Sequence, residues 1–117
     1  MSFIEELKHD YEKWKSSKIG TQEVIDGMLA KYGEDIQIDV AIEEMSELIK
    51  ELIKYKRSKV HFREKQAASR DHVIEEIGDV MLMLEYLKTI FNINPQDIED
   101  IMINKAMRVR ERYLNEQ

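Results

Sequence analysis

The sequence predicts an all-α fold, a bundle of four or five helices with a central antiparallel pair of acidic helices. Apolar residues recur at i, i+3, i+4 and i+7 along most of the 117 residues, the spacing of one buried helix face. Proline occurs once, so little interrupts the helical runs. One short phrase is stated twice: Glu43-Glu44-Met45-Ser46-Glu47-Leu48 is answered by Glu75-Glu76-Ile77-Gly78-Asp79-Val80. Each copy reads acid, acid, apolar, small, acid, apolar. The length is that of a single domain, residues 1–117, and suffices for one helical core.

Ser2 with Glu5 has the form of a capping box and opens a helix to about residue 16. Its stripe of Phe3, Leu7, Tyr11 and Trp14 steps by four and three residues. Such stripes pack on a bundle more often than they stack on a nucleobase. Ser16 to Gly20 reads as a break. Thr21 caps a shorter helix to about Tyr32 with Val24, Ile25, Met28 and Leu29 inward, and Gly33 suits the position just past its end. A polar turn over 33–35 leads into the first acidic helix, about Gln37 to Arg57. Its predicted inner face is Ile38, Ala41, Ile42, Met45, Leu48, Ile49, Leu52 and Ile53. Residues 58–68 read as a loop, with partial helix as the alternative because no Gly or Pro breaks them. Ser69 or Asp71 caps the second acidic helix, which runs to about Phe91 on a face of Val73, Ile74, Ile77, Val80, Met81, Leu84 and Leu87. Asn94-Pro95-Gln96-Asp97 combines an Asn cap, Pro at the first helical position and an acid in the first turn. It starts a last helix to about Leu114. Ile36, Ile90 and Ile103 lie off the main faces, more apolar surface than one chain covers, so a homodimer or homotetramer is expected.

At roughly 100° per residue, Glu44 lies about a quarter turn from the centre of its apolar face, with Glu47 further round that flank. Glu76 and Asp79 take matching angles on the second helix. Antiparallel packing through equivalent faces would make these four carboxylates converge. Gathered carboxylates repel and raise one another's pKa unless a cation joins them. Oxygen ligands alone suit Mg²⁺, with Mn²⁺ as an alternative. A lone acidic pair at i, i+3 on a charged helix reads as solvated; two matched pairs bring the metal reading level with that one. His72 lies four residues before Glu76 with no partner histidine, and His9 and His61 are equally incidental. Lys50 and Lys54 share a side with Glu47, where they reach a phosphate or simply pair with Glu47 and Glu51.

Glu43-Glu44-x-x-Glu47, a spacer and Glu76-x-x-Asp79 resemble the signature of the MazG-like, all-α nucleoside triphosphate pyrophosphohydrolases. Lys31-Tyr32-Gly33, Glu76-Ile77-Gly78-Asp79-Val80, and Asn104-Lys105 followed by Arg108 extend the resemblance over roughly residues 28–112. It implies Mg²⁺-dependent hydrolysis of a ribo- or deoxynucleoside triphosphate to the monophosphate and pyrophosphate, without a covalent nucleophile. Glu44, Glu47, Glu76 and Asp79 would hold the metal, which would neutralise phosphates and acidify the attacking water. Glu43 would stand behind the ligands or take the water's proton. Lys54, Lys105 and Arg108 would offset charge on the leaving pyrophosphate, Asn104 would hold sugar or phosphate, and Gln37 would face the substrate. The signature separates neither the bases nor ribose from deoxyribose, and a related branch acts on phosphoribosyl-ATP. The basic connector between the acidic helices is longer and more charged than the compact members of the family have.

The net charge of −6 argues against general nucleic-acid binding. Its distribution is uneven. Residues 54–70 hold seven Lys or Arg against one acid, Glu64, a local +6 that leaves −12 for the remainder. Beside an acidic metal site this suits a polyphosphate, although charge runs are commonly solubilising loops. The absence of Cys removes disulfides and thiolate chemistry. No run has the length of a membrane span and MSFIEELKHD lacks a signal peptide's apolar core, so a cytoplasmic protein without a membrane partner is expected. Two readings from other classes stand beside the enzyme. One is a non-catalytic helical interaction or regulatory protein with solvated acids; the other is a nucleic-acid binder working through 54–70. A carboxylate-bridged di-iron bundle would use Glu-x-x-His pairs, which this chain lacks.

Overall fold

The computed structural model describes residues 2–17 and 20–115, apart from the side chains of 14–17. Every described element is helical: α1 (Phe3–Ser17), α2 (Thr21–Tyr32), α3 (Glu34–Val60), a 3₁₀ turn (Arg63–Lys65), α4 (Gln66–Ile90) and α5 (Pro95–Val109). A π-helical turn, Arg110–Leu114, continues α5. None of the described helices is long and apolar enough to cross a membrane. Contacts gather the chain into two compact units, Met1–Leu87 and Lys88–Gln117.

The helix ends follow local chemistry. The capping box at α1 closes both ways: the Ser2 amide donates to Glu5 Oε2 at 3.0 Å and the Glu5 amide to Ser2 Oγ at 3.2 Å. Thr21 is the first helical residue rather than the cap; Gly20 holds the cap position in an extended conformation, without a side-chain bond. Gly33 ends α2, its amide donating to the Leu29 carbonyl at 2.9 Å, and its φ of 88° is the left-handed conformation that favours glycine. The same residue starts α3, so the predicted 33–35 turn shrinks to one position. Asn94 caps α5 by accepting from the Gln96 amide at 3.0 Å, with Pro95 in the first turn.

The predicted 58–68 loop is mostly helix. Nothing in 54–70 breaks a helix, so α3 continues to Val60, and Ser58 Oγ donates back to the Tyr55 carbonyl at 2.7 Å. Only His61 and Phe62 separate α3 from the 3₁₀ turn, which feeds into α4 at Gln66, ahead of the predicted caps Ser69 and Asp71. Across this turn Gln66 Nε2 donates to Tyr55 Oη at 3.5 Å, and His72 Nδ1 lies 3.8 Å from Glu51 Oε2. Later residues of α3 thus meet earlier residues of α4.

The first unit is organised on Ile25, Ala41, Met83 and Tyr86, all at most 5% exposed, with Met28, Leu29, Val40 and Leu87 packed around them. The inner stripe of α3 differs from the predicted one. It runs through Gln37, Ala41, Glu44, Leu48, Glu51, Tyr55 and Ser58, each buried or half-buried and spaced alternately by four and three residues. That is the period of a helix seam. Ile42, Ile49 and Ile53, predicted inward, are more than half exposed. The reason is that small Ala41 sets the line of close packing, which passes over the acids instead of over the richest apolar arc. The α1 stripe departs in part from expectation: Phe3 is half-buried, whereas Leu7 and Tyr11 are exposed. Trp14's side chain, and Lys18 and Ile19 of the predicted break, lie outside the described residues.

Candidate metal centre

Two helices bring the acids together. The second residue of each sequence phrase, Glu44 on α3 and Glu76 on α4, falls on its helix's inner stripe, and Asp79 follows Glu76 by nearly one turn. Carboxylate oxygens of Glu44, Glu76 and Asp79 lie within 4.8 Å of one another, and all three residues are half-buried. Glu76 Oε2 is buried and has no hydrogen-bond partner. A buried oxygen of this kind costs free energy unless a proton or a cation meets it.

The electrostatics follow. Burial pushes the Glu76 carboxyl up to about 7, and the charges of Asp79, Glu44, Glu75 and Glu47 push the same way. Glu44 is raised as well, by burial first, then by the charge of Asp79 and a hydrogen bond to it, while a hydrogen bond from Glu76 works against the rise. Glu76 therefore keeps its proton up to near neutral pH. Three carboxylates and no softer ligand are a donor set that would suit a hard divalent cation.

The other sequence-predicted residues fall around this trio unevenly. Glu47 is half-buried one turn beyond Glu44 and adds its charge at Glu76, while its own oxygens stand outside the converging three. Glu43 is exposed beside Glu44 and contributes to that residue's raised pKa. Gln37 is only 4% exposed, on the inner stripe of α3. Lys54 pairs with Glu51 at 3.5 Å. In the second unit, Lys105 and Arg108 line a cleft of about 260 Å³ with Arg112 and Tyr113. Asn104 and Arg108 border another cleft with Met107 and Glu111.

Sequence reasoning took Glu51 only as an ion-pair partner of Lys54, a pair that the structure forms. Its side chain is 12% exposed, its Oε2 has no hydrogen-bond donor, and it lies near both Lys54 and His72. The available signal was its spacing, seven residues after Glu44 and hence on the same seam. His72, read as incidental, gains a carboxylate neighbour by this arrangement. Comparison with known proteins brings no match: no family model fits the chain, and no curated protein or solved structure is significantly similar to it.

Proposed function

We propose that the chain is a divalent-metal-dependent nucleotide pyrophosphohydrolase of the MazG-like kind, splitting a nucleoside triphosphate into the monophosphate and pyrophosphate. One observation carries the reading. Three carboxylates from two helices converge within 4.8 Å, with one oxygen buried and unpartnered, on a seam where apolar residues would pack better. Local rules broken at such expense are the mark of a functional site. In this reading α3 and α4 are the central antiparallel pair of a helical bundle.

Glu44, Glu76 and Asp79 would hold Mg²⁺, or Mn²⁺, with Glu47 beside them. The ion would supply Lewis acidity toward phosphate oxygens and acidify a water. The chain's own residues do the remaining work. Glu76 and Glu44, raised first by burial and then by neighbouring acids, would give up proton as the site fills. Glu43, exposed next to Glu44, would stand behind the ligands or accept a proton from water at its carboxylate. By the resemblance, Lys54, Lys105 and Arg108 offset phosphate charge, Asn104 takes sugar or phosphate and Gln37 approaches the substrate. Ile42, Ile49 and Ile53 on α3 and Ile77, Met81 and Leu84 on α4 are exposed apolar residues that support assembly as a homodimer or homotetramer. The same surface supports the second reading, a non-catalytic helical interaction or regulatory protein.

Pyrophosphate release from a panel of ribo- and deoxynucleoside triphosphates, with and without Mg²⁺, separates the two. Release that needs the metal, and that falls about 100-fold or more in Glu44→Gln and Asp79→Asn, is the expected result, on the scale of disturbing groups that order a metal site. Well-folded protein that turns over no nucleotide with Mg²⁺ or Mn²⁺ ends the enzyme reading and leaves the interaction protein.

A further inference from the structure

The basic connector has a shape of its own. Lys54 and Arg57 at the end of α3, Phe62 and Lys65 in the turn, and Ser69 and His72 at the start of α4 line a cleft of about 340 Å³. Three cationic side chains share it. Lys54 is paired with Glu51, and Lys65 lies 5.3 Å over the Phe62 ring. Among the described residues, neither Arg57 nor Lys65 has a carboxylate partner. The first turn of α4 contributes Ser69 to the wall and carries no acid, so the positive end of the helix adds to the potential there. Gathered cations in a concave site repel unless an anion joins them, the mirror image of the carboxylate trio.

The two sites are distinct. The cleft lies beyond the carboxylate trio along both helices: Lys54 follows Glu44 by ten residues of α3, about 15 Å of helix, and His72 precedes Glu76 by about one turn of α4. Glu51 stands between them, holding Lys54 on one side and His72 on the other.

We propose that this connector cleft is a metal-independent binding site for an oligophosphate anion. Arg57 and Lys65 are its principal charges, Ser69 is a hydroxyl donor, and Phe62 is an apolar wall. The anion is either free pyrophosphate or the phosphate chain of a nucleotide, and both present the bridged, multiply charged oxygens that such a cluster satisfies by charge-assisted hydrogen bonds. The site stands whether or not the acids hydrolyse anything.

Isothermal titration in excess chelator tests it, with inorganic pyrophosphate in one series and a nucleoside triphosphate in the other. Both bind the wild-type chain, and the double variant Arg57→Gln/Lys65→Gln weakens both about tenfold or more, the scale of losing charged hydrogen bonds. Glu76→Gln, which disables the metal centre, leaves this binding unchanged. In Phe62→Leu, weaker nucleotide binding with unaltered pyrophosphate binding supports a nucleotide whose base meets the ring. Equal behaviour of the two ligands supports the free anion. Absence of binding without metal, or unaltered affinity in the double variant, overturns the site. A single-stranded oligonucleotide that binds far more tightly and displaces pyrophosphate overturns it too, handing the surface to nucleic acid.

Discussion

Replacing Glu76 by Gln asks whether the acids are held together against their own repulsion. Burial first, then the neighbouring acids, lift this carboxyl from its ordinary 4.5 to about 7. In the folded, metal-free chain it therefore keeps a proton that the unfolded chain has already released. Between about pH 4.5 and pH 7 the unfolded state binds fewer protons, so stability falls as pH rises through that window and the whole penalty is present above it. Unscreened, a displacement of this size is worth about 3 kcal/mol. Water reaches the half-buried cluster, and about 1–2 kcal/mol is the expected remainder. Gln has no charge to suppress, so Glu76→Gln should melt roughly 3–8 °C above wild type at high pH without metal. Mg²⁺ reverses the order: a ligand at 100 times its Kd adds about 2.7 kcal/mol to wild type, and the variant gains less. Calorimetric melts in chelator and in millimolar Mg²⁺, across the pH range, read all of this. Wild-type stability in chelator that climbs with pH over the window would refute the reasoning, as would a variant melting no higher than wild type at about pH 8.

Three further substitutions probe the frame around the site. Gly33→Ala meets no neighbouring atom, but forces a side chain into φ 88°, so a loss of about 1–3 kcal/mol is expected from denaturant midpoints, and an unchanged midpoint would contradict the strained turn. Glu51→Leu removes the carboxylate that pairs with Lys54 and lies near His72 and should destabilise by about 1 kcal/mol in thermal melts; an equal or higher melting temperature would show that these pairs contribute nothing. Asn94→Ala deletes the α5 cap at a cost of about 1 kcal/mol, read as faster amide exchange in the first turn of that helix, with equal exchange as the failing result.

Much of this architecture is legible one segment at a time, because the signals are local. Ser2 with Glu5, Gly33, and Asn94 with Pro95 each carry their own reason for a helix end within three or four residues. The repeated acidic phrase likewise announces Glu44, Glu76 and Asp79, since i, i+3 spacing on two paired helices leaves few other ways to meet. What the linear order hides is rotation. Counting apolar residues puts Ile42, Ile49 and Ile53 inside, whereas the inner line follows Ala41, whose small side chain lets a neighbour close, and carries Glu44 and Glu51 inward with it. A shift of one position around a helix is about 100°, enough to trade an isoleucine face for an acidic one. The connector was hidden for a different reason. Charge density suggested a loop, but helices tolerate Lys and Arg, and only a breaker would have ended α3 earlier.

The order of contacts along α3 and α4 gives the acids a mechanical setting. The five-residue connector, 61–65, ties the helices at one end; the apolar contacts of Ala41, Met83 and Tyr86 fasten them at the other, and the carboxylates lie between. The pair behaves as a hinge and a latch with a compressed spring in the middle. Where the acids are ionised and no cation joins them, their mutual repulsion presses the helices apart, and the latch resists it. A defect such as a smaller residue at Met83 would touch no carboxylate, yet it would let the helices splay and widen the gap that a cation must bridge. Any affinity for a cation would then depend on the hydrophobic latch as much as on the acids themselves.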